Sequence, residues 1–256
     1  MSSGSTPIPD RPPASIASMT VAAVILSATA EGAVADTLGQ PRVRRLVDIA
    51  WSGGALPVVV VAPDPDGTVG AALIGSEATY GSPAPEETGS AGQMLRGAEL
   101  ARDEVAETTA ALLWPARMTW VGPETVTSLI EAHGTDAGTM LRPGWGGEPG
   151  WPVLVPFAAL DHLRAVDAGR MPPDVIDELA RYVPTRVVEV GDPGVHFDAD
   201  TAFADLPPYE GPPGPPAGHT HEWGEGVEPG ADEDVPGEGR RLPPYPQAAP
   251  GGPDDG

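Results

Sequence analysis

Cysteine and lysine are both missing from this chain of 256 residues. Without cysteine there can be no disulfide and no thiolate chemistry, although the compartment is left open. Without lysine, all 14 basic residues are arginine. A phosphate ligand would have to be held by guanidinium groups, backbone N–H groups or a metal ion. Positive charge is scarce altogether: 37 acids against 14 bases leave a formal charge of −23. That field opposes unaided binding to nucleic acid or to an anionic membrane. Long hydrophobic runs are also missing, since no stretch approaches the roughly 18 apolar residues of a membrane span. The segment Ile16 to Ala30 ends in Ala28-Thr29-Ala30, which mimics a signal-peptide cleavage site. Its leader carries one arginine and one aspartate, so the positive n-region is missing. A cytoplasmic location is expected.

Glycine and proline are abundant, at 33 each, and unevenly spread. Residues 207–256 hold 13 Pro, 11 Gly and 10 acids with two arginines. Such a segment cannot bury enough apolar surface to offset its ordering entropy, so a disordered acidic tail is expected there. Within it, Arg240-Arg241-Leu242-Pro243-Pro244-Tyr245-Pro246 has the polyproline form that aromatic-lined grooves accept, beside the plainer reading of a solubilising tail. Residues 1–19 read as a flexible leader. About 190 residues remain between the two, ample for one domain with a real core.

That middle alternates short apolar runs with helical patterns. Thr20 to Leu26, Pro57 to Ala62 and Ala110 to Trp114 read as buried strands, with Gly138 to Pro143 and Arg186 to Val190 as further strands. Helices are expected over Val43 to Trp51, Gly89 to about Glu107, Pro123 to Ile130, Phe157 to Val166 and Pro172 to Tyr182. Ser27 to Gln40 reads as a loop of small residues, and Asp64 to Thr68 as a turn. Strand, loop and helix start follow one another over Ala110 to Ile130, with the loop WPARMTW between, and ligands usually bind at such loops in an α/β sheet.

Several motifs then align with one family. Val121-Gly122-Pro123-Glu124-Thr125 resembles a Val-x-Pro-Glu-Thr helix start. Gly39-Gln40-Pro41-Arg42 resembles the end of a Gly-x-Pro-Lys phosphate loop. Gly89, Ser90, Arg96 and Gly97 match a Gly-Ser-rich helix entry, and Trp151-Pro152-Val153-Leu154 a His-Pro-Val-Leu segment. Asp198-Ala199-Asp200-Thr201 matches an Asp-Ile-Asp-Thr ending. Together they resemble the MobA-like nucleotidyltransferases, in particular the molybdenum-cofactor cytidylyltransferases, over about Val21 to Asp205. The resemblance implies an α/β fold: a three-layer, Rossmann-like nucleotidyltransferase domain of the nucleotide-diphospho-sugar transferase type. It would span residues 20–206, with a mostly parallel sheet and disordered termini.

The resemblance also implies roles. Arg42 stands where the family's phosphate-binding lysine is found, and Gly39, Gly89, Ser90 and Arg96 would face the nucleotide. Trp151 would lie in the pterin region, stacked on a heterocycle or filling its place. Asp198 and Asp200 would hold magnesium, or else cap a short helix from Thr201 to Leu206. For Ser90, capping alone is a sufficient account, and Arg42, Arg44 and Arg45 could form a solvated helix face. The family's first metal-binding aspartate aligns with Arg117. A divalent ion about 4 Å from a guanidinium meets a repulsion of roughly 8 kcal/mol at an effective dielectric of 20.

The function expected is that of a divergent MobA-like protein with an impaired catalytic set, binding a nucleotide (CTP or GTP) or a protein partner beside molybdenum-cofactor maturation. An active Mg-dependent transferase, moving CMP or GMP to a phosphorylated acceptor, is the alternative. A third reading places the function in the tail.

Overall fold

The computed structural model describes residues 20–212; the expected leader and the tail from residue 213 lie outside them. The elements run β1 (Thr20–Leu26), α1 (Ala30–Val34), β2 (Asp36–Thr37), β3 (Gln40–Pro41), α2 (Arg42–Ser52), β4 (Val58–Val61), α3 (Thr68–Leu73), β5 (Ala78–Gly81), α4 (Gly89–Glu104) and β6 (Thr108–Pro115). They continue with α5 (Pro123–Thr135), β7 (Met140–Trp145), β8 (Glu148–Pro149), β9 (Val153–Pro156), α6 (Phe157–Leu160), α7 (Pro172–Leu179) and β10 (Thr185–Glu189).

The apolar runs become the middle of one sheet, in the order β10-β7-β9-β6-β1-β4-β5, with β8 paired to β7. β1 lies between β4 and β6 and is parallel to both. β9 runs antiparallel to β6 and to β7, and these two reversals restore the original direction in β7 and in its parallel partner β10. Both faces of the sheet are covered. Val21, Ala23 and Ile25 of β1 pack with Leu46 of α2, Val69 of α3 and Leu129 of α5. Ala22 and Val24, the alternate residues, pack with Met94 of α4, Phe157 of α6 and Ile176 of α7. Burial on both sides is why Val58–Val61 is β-branched throughout rather than alternating with polar residues. The α/β class, the three layers and the mostly parallel sheet are as the sequence predicts.

Several local expectations are corrected. The loop expected over Ser27 to Gln40 contains α1 and the β2–β3 hairpin, with Thr29 Oγ1 accepting from the Gly32 amide at 3.0 Å as a helix cap. A helix of five residues is too short to show a 3.6-residue period. Asp64 does sit in a turn, and its carboxylate accepts from the Val69 and Gly70 amides at 2.9 Å, capping α3. The helix expected over Phe157 to Val166 is α only to Leu160 and continues as a 3₁₀ turn, Asp161–Ala165. α4 stops at Glu104, and only Phe203–Asp205 of the expected last helix forms a 3₁₀ turn.

Candidate functional site

In an open parallel sheet, ligands bind past the carboxyl ends of the strands, where the strand order reverses. Here that strand is β1. The chain moves outward from it to β4 and β5, then returns to β6 on its other side. The crevice therefore opens between the turn after β1 and the loop 116–122 after β6. β10 ends at the same edge, so the segment 190–201 that follows it enters the same space.

Arg117 is the meeting point. Its Nη2 donates to Asp198 Oδ2 at 2.8 Å and its Nε to the same oxygen at 3.3 Å. The same Nη2 also donates to Asp200 Oδ2. The backbones are joined as well, since the Ala199 amide donates to the Arg117 carbonyl oxygen at 2.8 Å. Trp120 Nε1 donates to the carbonyl oxygens of Asp198 (2.9 Å) and Thr201 (3.0 Å). Asp198 Oδ1 accepts from the Asp200 amide at 2.9 Å, an Asx turn rather than a helix cap. Burial would raise the Asp198 carboxyl. The hydrogen bonds from Arg117 and from the Asp200 amide, with the charges of Arg117 and Arg42, instead carry it below the ordinary carboxylate value. Those two carboxylates raise the pKa of Arg117 in turn.

Arg42 and Arg45 approach from α2, one turn apart. Arg42 Nη1 donates to the Gly32 carbonyl oxygen at 3.1 Å, whereas its Nε is buried without a partner. Burial first, then the charge of Arg117, lowers the Arg42 pKa, while Asp200 and Asp198 pull the other way. The four side chains therefore act on one another. Arg45 Nε reaches the Thr119 carbonyl oxygen at 3.4 Å, and burial lowers its pKa too. Arg44 points elsewhere, to Asp48 at 3.1 Å and the Ile74 carbonyl oxygen at 3.0 Å.

The structure joins Arg117, Asp198 and Asp200 by direct hydrogen bonds, and none of the other expected residues hydrogen-bonds to these three. Gly39 is at the tip of the β2–β3 hairpin with φ +85°, and its amide donates to Asp36 Oδ1 at 3.4 Å. Gly89 opens α4 with φ +61°, and a Cβ there would lie 1.9 Å from the Ala168 carbonyl oxygen, so the backbone of residue 168 already covers it. Ser90 is the second residue of α4 and not its cap; Thr88 precedes the helix, with its hydroxyl turned to the Pro85 carbonyl oxygen at 2.7 Å. Arg96 lines a groove with Ser82 and Arg164 on the outer side of α4. Trp151 is half-buried against both core clusters at the end of the sheet, so the indole is part of the packing.

Two residues without an expected role hold the site in place. Asp192, 3% exposed, accepts from the Gly122 amide (2.8 Å), the Thr125 hydroxyl (2.7 Å) and the Gly194 amide (2.8 Å). One carboxylate thus ties the segment carrying Asp198 and Asp200 to the start of α5. Gly194 lets that segment lie flat on the loop, since a Cβ there would be 2.3 Å from the Trp120 carbonyl oxygen. The Asp-x-Gly spacing of Asp192 and Gly194 was the available signal. Trp120 is the other residue, and nothing local distinguished its indole from any packed aromatic.

These residues do not fit a divalent cation as they stand. Among the described residues no group of three or more His, Asp or Glu side chains could hold one. The two carboxylates in the crevice are both engaged by Arg117.

The fold is that of a nucleotidyltransferase. A nucleotidyl transferase from Methanothermobacter thermautotrophicus aligns with TM-score 0.54 and 19% identity, over 66% of this chain and 87% of its own. The 2-C-methyl-D-erythritol 4-phosphate cytidylyltransferase of Thermus thermophilus aligns with TM-score 0.53 and 19% identity, over 73% and 96%. Rv0371c from Mycobacterium tuberculosis, in complex with manganese, aligns with TM-score 0.52 and 14% identity, over 67% and 89%. At these identities the likeness defines the fold alone. No curated protein matches the chain. Residues 27–183 match the MobA-like NTP transferase domain, and the chain belongs to that family. No helix among the described residues is long and apolar enough to cross a membrane.

Proposed function

We propose that this protein is a divergent MobA-like family member that binds a nucleotide, CTP or GTP, or a protein partner in the crevice, with its transferase chemistry impaired. The observation that carries this reading is the ion pair of Arg117 with Asp198 and Asp200. Phosphoryl transfer needs the charge at the reacting phosphates neutralised and the groups held in line. A guanidinium can neutralise charge, but it leaves the two carboxylates without an ion to hold. The setting, cytoplasmic and beside molybdenum-cofactor maturation, rests on the family resemblance.

The test is calorimetric titration of CTP and of GTP with and without magnesium, together with an assay for released pyrophosphate. Micromolar binding without magnesium and no pyrophosphate release are expected. Magnesium-dependent release that Asp200→Ala abolishes would overturn the reading. It would establish the alternative, an active transferase moving CMP or GMP to a phosphorylated acceptor. Two observations favour that alternative: both aspartates of the ending converge on the residue aligned with the family's first metal ligand, Arg117, and the similar mycobacterial structure is a manganese complex. It expects Arg42→Ala to lower turnover strongly.

A further inference from the structure

Resting on that crevice as the ligand site, we propose that Arg117 takes the place of a divalent cation: the site accepts a polyphosphate anion metal-free, and Asp198 and Asp200 compete with that anion for the same guanidinium. The exposures set the terms. The side chain of Arg117 is 60% exposed and that of Asp200 is 79% exposed. Exposed ion pairs are weak because water screens both charges. A phosphate group offers a guanidinium the same bidentate geometry as a carboxylate, with more charge. A polyphosphate entering the crevice can therefore take Arg117 from its carboxylates.

The surroundings suit an exchange of side chains without movement of the loop. Arg117 holds the segment through its carbonyl oxygen, which accepts from Ala199, and Trp120 holds it through the carbonyl oxygens of Asp198 and Thr201. None of these three bonds uses a carboxylate. Asp200 can turn away while the backbone stays, and Asp198, whose Oδ1 accepts from the Asp200 amide, has only its Oδ2 contact with Arg117 to give up. Arg42, at the start of α2, supplies a second guanidinium, bonded through Nη1 to the Gly32 carbonyl oxygen at 3.1 Å. Two guanidinium groups suit an anion that spans more than one phosphate.

The experiment uses the full chain and inorganic tripolyphosphate in EDTA, read by calorimetry. The wild type should bind. Asp198→Asn with Asp200→Asn keeps the oxygen that accepts from the Asp200 amide while removing the competing charge, and should bind about fivefold tighter, the scale of exposed ion pairs. Arg117→Ala should bind at least about tenfold weaker, the scale on which charge-assisted hydrogen bonds act. In a second titration, manganese should not bind the wild type but should bind Arg117→Asp, which places a third carboxylate beside the other two. Thermal melts of each variant confirm folding. The proposal is overturned if the double asparagine variant binds no tighter, if the wild type needs a metal to bind, or if tripolyphosphate does not bind. Failure of CTP and GTP to bind while tripolyphosphate behaves as stated would remove the nucleotide reading and leave this one standing.

Discussion

Asp192 and His133 are both almost fully buried, at 3% and 1% exposed, and they meet burial in opposite ways. Asp192 gathers three donors from two segments far apart in sequence. Removing it strands the Gly122 and Gly194 amides and the Thr125 hydroxyl, and each buried unpaired group costs about 1–3 kcal/mol. Asp192→Ala should therefore destabilise the domain by about 3 kcal/mol or more in urea unfolding. His133 has one partner. Thr109 Oγ1 donates to the Thr20 carbonyl oxygen at 3.3 Å, so it accepts from His133 Nε2 at 3.2 Å. That assigns the tautomer and leaves Nδ1 bare in the core without a partner. Burial lowers this pKa, with Asp136 opposing. The unfolded histidine then binds protons more readily than the folded one. Stability should be full above the ordinary histidine value of about 6.5 and should fall as pH drops below it, by at most about 1.4 kcal/mol per unit. His133→Gln should flatten that slope in thermal melts taken across pH 5 to 7.5.

At the scale of elements, the β2–β3 hairpin is where sequence and geometry disagree. Its two connecting residues, Leu38 and Gly39, have φ of +55° and +85°, as a two-residue hairpin turn requires. Leucine is poorly suited to that conformation, and this one is 55% exposed, so it recovers little by burial. Leu38→Gly should stabilise the protein by about 1 kcal/mol, measured by denaturant midpoint, because the left-handed conformation costs a residue with a Cβ about 1–2 kcal/mol and glycine nothing. The hairpin lies immediately before Arg42, at the rim of the crevice. If Leu38→Gly raises stability and lowers ligand affinity together, the exposed leucine is kept for a contact there. The elements that were legible each have a strong single cause, whatever their length. Val58–Val61 is continuously β-branched, and Pro123 with Glu124 marks the start of α5. α1 and α3 were missed because helices of five and six residues are too short to show a 3.6-residue period, and β5 and β9 because their boundaries are set by neighbouring strands.

Across the whole molecule, β6 divides two cores. Leu112 belongs to the cluster under α2, α3 and α5, and Leu113 to the one under α4, α6 and α7; both are fully buried. Each change to alanine should cost about 2–5 kcal/mol. Because the two side chains belong to clusters on opposite faces of the sheet, the double variant should lose close to the sum, by urea unfolding at constant slope. A coupling above about 1 kcal/mol would mean that the two layers do not behave independently.

The sequence by itself determined the α/β class and the buried central strands, because apolar runs and helix-start residues are local signals. It placed Arg117 at the aligned position of a metal-binding aspartate. Only the tertiary structure decided what that arginine does. Its partners stand 81 and 83 residues away. They reach it because β9 reverses direction twice over, so that β10 ends at the same edge as β6. The same distance hid Asp192, whose three donors are brought to one carboxylate by sheet order and by the close approach at Gly194. No local pattern carries that information, because strand order is settled by how two cores close on opposite faces of one sheet.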